Sequence, residues 1–235
     1  MKSTNHEKIK EMAKTMLYLD IKDSDVEGFI IHPYFQTTIF PTFNGETMQT
    51  HDLRNPSDLE LARQMVLNNL NSGDDFWRCF AIINKPYRSA LFKFCKDYFS
   101  EKDYANVLEF VWTSSENPNQ DVNVSISEWI KFFNKANKKY LMSKEDYKIY
   151  SDLPEEIEIY RGVGFHREPY GLSWTNNKKT AEWFANRWNN KEAYMFKTKC
   201  HKSDVLAYFN GRSEDELVIN IKNLKKSNIE RIDLI

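Results

Sequence analysis

The hydrophobic period of the chain changes at Leu153-Pro154, and this change limits the possible folds more than any other feature. Upstream, apolar residues recur at spacings of three and four, the signature of one buried helix face. Thr4 and Glu7 form a capping box ahead of Ile9, Met12, Ala13 and Met16, which predicts a helix over residues 4–19. Asn55-Pro56 opens a second helix with Leu59, Ala62, Val66 and Leu70 on one face, and Ser72-Gly73 closes it. Further stripes are Tyr87, Ala90, Leu91, Phe94, Cys95 and Tyr98, then Tyr104, Val107, Leu108, Val111 and Trp112 behind a Ser100/Asp103 cap. Ile126, Trp129, Ile130 and Phe133 form another, and Ser143 with Asp146 caps a short helix through Tyr150. Such stripes are read as core packing. Residues 20–54, broken by Pro33, Pro41 and Asn44-Gly45, are assigned no elements, and the polar stretch 113–125 is expected to be a surface loop.

Downstream the apolar residues fall in short alternating runs: Ile157/Ile159, Leu172/Trp174, Tyr194/Phe196, Val205/Ala207, Leu217/Ile219 and Ile229/Ile232/Leu234. One amphipathic segment, Asn177 to Trp188, interrupts them with Ala181, Phe184, Ala185 and Trp188 on one side. The expected fold is α+β, a mostly helical domain over 1–151 followed by a small twisted β-sandwich over 152–235. A chain of 235 residues with 41% hydrophobic content can bury such a core unaided. A formal charge of −1 provides no global field for nucleic acid. Cys79, Cys95 and Cys200 lack the spacing of a zinc site or disulfide framework, so buried free thiols and no metal are expected. No stretch has the length of a signal peptide core or membrane span, which predicts a soluble cytoplasmic protein.

Three short motifs end strands in the second half: Tyr160-Arg161-Gly162, Ser173-Trp174-Thr175, and Glu214-Asp215-Glu216 just before Leu217-Val218-Ile219. An arginine, a serine and a carboxylate pair are what a protein needs to hold a dianionic dinucleotide and cleave a glycosidic bond. Ser173 should face away from Leu172 and Trp174, and Glu214 and Glu216, two apart, can point the same way. The order and setting of these motifs resemble the catalytic domain of mono-ADP-ribosyltransferases of the arginine-serine-glutamate class, found among bacterial toxins, phage-encoded modifiers and vertebrate ecto-enzymes. The resemblance covers roughly residues 155–235.

The resemblance implies a split β-sandwich, NAD as substrate, and transfer of ADP-ribose to a macromolecular acceptor in a bacterial or phage-infected cytoplasm, with an antitoxin or target protein as partner. Arg161 would offer its planar fork to the pyrophosphate, and Gly162 would let the nicotinamide amide approach the backbone. Ser173 would hold the nicotinamide ribose and orient Glu216, with Thr175 either supporting it or serving as an ordinary sheet hydroxyl. Glu216 would stabilise the oxocarbenium charge through the ribose 2′-hydroxyl. Glu214 would steer or deprotonate the acceptor, nominally a protein arginine, with nucleic acid left open. Phe165, Tyr170, Trp174 and Phe184 are candidate ring platforms for nicotinamide, with helix packing the first reading for Phe184. Gly162-Val163-Gly164 lacks the third glycine of a dinucleotide fingerprint, and His166 sits in a charged loop. Trp112 with Glu116-Asn117-Pro118 would suit a cleft edge or partner surface, and the helical part would cover the cofactor or bind the target. The alternatives are NAD hydrolysis, and an inactive binding or inhibitor protein on the same fold.

Overall fold

The structure of the chain, a computed structural model, describes residues 2–164, 167–187 and 193–234. Phe165, His166 and Trp188 lie outside the described residues. The chain divides into two compact units, Met1–Ser100 and Glu101–Ile235. The expected boundary near 151 marks the change from helix to sheet, whereas compactness places the division between Ser100 and Glu101. The helices of residues 101–152 therefore belong with the sheet. No helix among the described residues is long and apolar enough to cross a membrane.

The first unit holds α1 (His6–Leu17), two short paired strands β1 (Lys22–Asp23) and β2 (Ile30–Ile31), and a hairpin of β3 (Ile39–Asn44) and β4 (Thr47–Asp52). Helices α2 (Pro56–Asn71), α3 (Trp77–Ile82) and α4 (Arg88–Cys95) follow. The first helix is capped by Asn5, whose side chain accepts from the Lys8 N–H at 3.0 Å. The expected cap, Thr4, instead accepts from the Ser100 N–H. Phe94, expected on the buried stripe of α4, is 55% exposed; the buried face runs through Leu91, Phe92 and Cys95. Phe76, Phe80, Phe92 and Phe99 pack ring against ring in the core. The hairpin turn that the sequence left unassigned forms at Gly45, with φ +64°.

The second unit begins with α5 (Glu101–Ser114), α6 (Ile126–Lys135), α7 (Lys138–Leu141) and α8 (Lys144–Asp152). Ser125 and Glu128 cap α6 reciprocally, and Ser143 caps α8 by accepting from the Asp146 N–H, as its spacing predicts. Strands β5 (Glu156–Val163), β6 (Ser173–Thr175), β7 (Tyr194–His201), β8 (Val205–Phe209), β9 (Glu216–Ile219) and β10 (Glu230–Asp233) follow, with α9 (Lys178–Asn186) after β6. All six strands anticipated from the alternating runs are present. They form one antiparallel sheet in the order β10-β7-β5-β6-β9-β8 rather than two separate layers. Its two halves meet at a single register pair, Tyr160↔Thr175. The strands on either side of this junction therefore diverge along most of their length.

Every residue of β8 and β9 is buried, because α6 and α8 cover β8 while β6 and β8 flank β9. Helix α9 lies against β5, and the approach depends on Gly162. A Cβ there would stand 2.0 Å from the Ala181 carbonyl oxygen and 2.7 Å from the Ala185 nitrogen. Backbone cannot yield as a flexible side chain would. Gly162→Ala should therefore cost at least ~1–3 kcal/mol through overpacking, read as a lower midpoint in urea unfolding of the second unit.

Candidate active site

The divergence at the β5/β6 junction opens a cavity of about 360 Å³, lined by residues of the second unit alone. This volume is in the range of small-molecule sites, ~300–1,000 Å³. Arg161, Gly162, Ser173, Trp174, Thr175, Phe184, Glu214 and Glu216, the residues singled out in the sequence, all border it. Tyr170 does not: its ring stacks on Phe196 at 5.3 Å, with the Lys226 ammonium over it.

Glu216 begins β9, opposite Thr175 on β6 and Phe209 on β8. It is 9% exposed, and burial raises its pKa above the usual carboxylate value. Hydrogen bonds from the Ser173 hydroxyl and the Trp112 indole oppose that rise, since both favour the charged form. The Trp112 Nε1–H donates to Glu216 Oε1 at 3.1 Å. The Ser173 hydroxyl in turn accepts from Asn119 Nδ2 at 3.1 Å, while Asn119 Oδ1 accepts from the Leu172 N–H. A carboxylate can only accept, so donation runs in one direction, from amide to hydroxyl to carboxylate.

The expected surface loop therefore contributes to the site. Asn119 sits on a short 3₁₀ turn, Pro118–Gln120, and Gln120 Oε1 accepts from the Glu168 N–H, which ties this turn to the loop before β6. Polar, aperiodic text looks the same whether a loop is solvated or folded into a cleft. Trp112 carried a clearer signal: a buried indole needs an acceptor for its N–H. Nothing local identifies that acceptor as a glutamate 104 residues away.

Arg161 is buried, and desolvation lowers its pKa to about 10, with Arg167 adding to the effect. Its Nε donates to the Pro169 carbonyl at 3.0 Å, Nη1 to Ser173 at 2.6 Å and Nη2 to Glu168 at 2.6 Å. Three of a guanidinium's five N–H groups are thus engaged by backbone, so the fork expected to grip a pyrophosphate instead braces the loop leading into β6. Gly171 makes room for this brace, since a Cβ would lie 2.6 Å from both Arg161 Nη2 and Asn119 Cγ. Gly162 borders the cavity too, although the space its missing side chain leaves is filled by α9.

The acidic turn is strained. Ser213 and Asp215 have φ of +57° and +48°, a region that costs a residue with a Cβ roughly 1 kcal/mol or more. Three bonds to Asp215 offset this: Tyr208 donates to it at 2.7 Å, Asn177 at 3.3 Å, and its own N–H donates to Asn210 at 3.1 Å. With Asp215 so held, both Glu214 and Glu216 line the cavity. Glu214 pairs with Arg212 at 2.9 Å, and Arg212 also donates to the Thr113 carbonyl. Among the ring and hydroxyl candidates, Trp174 is buried with its indole donating to the Gly171 carbonyl, and Thr175 accepts from the Asn177 N–H at the turn into α9. Phe184 meets Trp183 edge to face at 4.9 Å, and Trp183, 54% exposed, adds a second cavity-lining ring with Arg187 over it.

No protein-family model, curated protein or solved structure matches this chain.

A carboxyl whose folded pKa is raised contributes stability that is present below its unfolded value near 4.5 and is lost as pH rises through the folded value. Glu216→Gln keeps an acceptor for Trp112 and removes the buried charge. It should stabilise the fold at pH 7, seen as a higher Tm, with no gain at pH 4. Thermal melts at the two pH values check this.

Proposed function

We propose that this chain is an NAD-dependent mono-ADP-ribosyltransferase, cleaving the bond between nicotinamide and ribose and passing ADP-ribose to a macromolecular acceptor. The observation that carries the reading is convergence: Arg161, Ser173 and the Glu214/Glu216 pair, from three separate segments, border one cavity where the two half-sheets meet at a single register pair. The single register pair between the two halves of the sheet supports this reading, for which the resemblance implies a split β-sandwich.

In this reading each side chain has a physical task. Heterolysis leaves neutral nicotinamide, which takes the bonding electron pair, and positive charge on the ribose. The Glu216 carboxylate, held at one oxygen by Trp112 and bonded by Ser173, would stabilise that charge as it develops. Arg161 keeps the β6 edge in place, and the arginines around the cavity, Arg167, Arg187 and Arg212, supply the positive potential that a dianionic substrate needs. Trp183 and Phe184 offer flat faces for an aromatic ring. Glu214 accepts a guanidinium from Arg212 within the chain, a chemistry that also suits an incoming protein arginine as acceptor.

Incubation with adenine-labelled NAD and cell extract tests the reading, with protease and nuclease treatments to identify the acceptor. Label should become macromolecule-bound as nicotinamide is released. Free ADP-ribose alone would indicate hydrolysis, and unconsumed NAD would remove the enzymatic reading. Glu216→Gln should lower kcat by roughly 10²–10³-fold while the NAD dissociation constant stays nearly unchanged, because the lost interaction strengthens only in the transition state.

A further inference from the structure

We infer that Trp112, on helix α5, is the positioning residue for Glu216: its indole N–H fixes one carboxylate oxygen and turns the other toward the cavity. The inference rests on the proposed reaction for its kinetic consequence, but the positioning itself stands on geometry. Trp112 is 1% exposed and wedged edge-to-face between Trp129 at 5.3 Å and Phe133 at 5.1 Å. These rings hold its plane, so the direction of the N–H is set by the packing of α5 on α6. That N–H reaches Glu216 Oε1 at 3.1 Å in a buried setting, where a charge-assisted hydrogen bond is stronger than at the surface.

The neighbouring Trp129 shows what the contact adds. It is equally buried, yet its Nε1 has no hydrogen-bond partner among the described residues. Two indoles thus share one aromatic cluster, and only one of them holds a carboxylate. If packing alone placed these rings, replacing either by phenylalanine would have similar consequences.

The charged and polar groups around Glu216 come from every element packed on it. Trp112 approaches from α5 and Ser173 from β6. Arg212 and Glu214 belong to the acidic turn, and Arg161 acts from β5. Asp215 is turned to Tyr208 and Asn177. Of these, Trp112 and Ser173 hydrogen bond to the carboxylate and favour its ionised form, as Arg212 does through its charge, against burial and Glu214. Removing the indole N–H shifts this balance toward the protonated acid, and the acid limb of any Glu216-dependent activity moves to higher pH.

The test compares wild type, Trp112→Phe and Trp129→Phe. The Glu216 carboxyl is followed by carbon-13 NMR across a pH titration, its signal assigned by its absence in Glu216→Gln. Its titration midpoint should rise in Trp112→Phe and move less in Trp129→Phe, where a ring still stands against Trp112 and the indole N–H is kept. In nicotinamide release, Trp112→Phe should lower kcat about ten- to a hundredfold with little change in the NAD dissociation constant, and Trp129→Phe should lower it by a smaller factor. Benzothienylalanine at Trp112, which keeps the bicyclic shape without the N–H, replaces the phenylalanine variant if circular dichroism shows that variant unfolded. An unmoved midpoint without the Trp112 N–H, or equal shifts in both tryptophan variants, overturns the assignment. If wild type consumes no NAD, the proposed reaction fails while the titration still decides the positioning.

Discussion

The second unit is built around a carboxyl group whose burial raises its pKa while two hydrogen bonds oppose that rise. Glu216 opens β9, which like its neighbour β8 is wholly buried, and burial without partners favours the protonated acid there. Two donors counter this, an indole from α5 and a hydroxyl from β6. Neither belongs to the segment that carries the glutamate. The acid thus ties a helix and a neighbouring strand to the start of β9, and its ionisation depends on all three being in place.

The surroundings follow the same logic. Arg161 directs its guanidinium into backbone carbonyls and so holds the loop that ends at Ser173. Asn119 bridges the Leu172 N–H and the Ser173 hydroxyl. Asp215, in a left-handed conformation, is clamped by three partners so that the glutamates on either side of it face the cavity. Strain at the turn and desolvation of the acid are each opposed by hydrogen bonds a short distance away.

Helices α5–α8 acquire a meaning that their stripes did not convey. They cover the β8 side of the sheet, and α5 carries the donor to Glu216. Cutting the chain at residue 151 would therefore remove Trp112 and Asn119 from the cavity along with the helices. The three cysteines stand apart from this chemistry: Cys79, Cys95 and Cys200 are buried free thiols, with pKa values raised by burial to about 11, 12 and 12.

What the amino-acid sequence determined by itself is local. The six strands, the helix after β6, the caps at Ser143 and Asn55, and the two-residue spacing that lets Glu214 and Glu216 share a side all depend on neighbours within a few positions. The cap at Asn5 and the exposure of Phe94 departed from the reading by a single position or a single face, the margin within which periodicity is ambiguous. Tertiary structure alone decided the strand order, the single pair joining the half-sheets, the division of the chain after Ser100, and the partners of Glu216. Periodicity records which face of an element is apolar and says nothing of which other element will cover it. A hydrogen bond between residues 104 positions apart exists only once the core between them has closed.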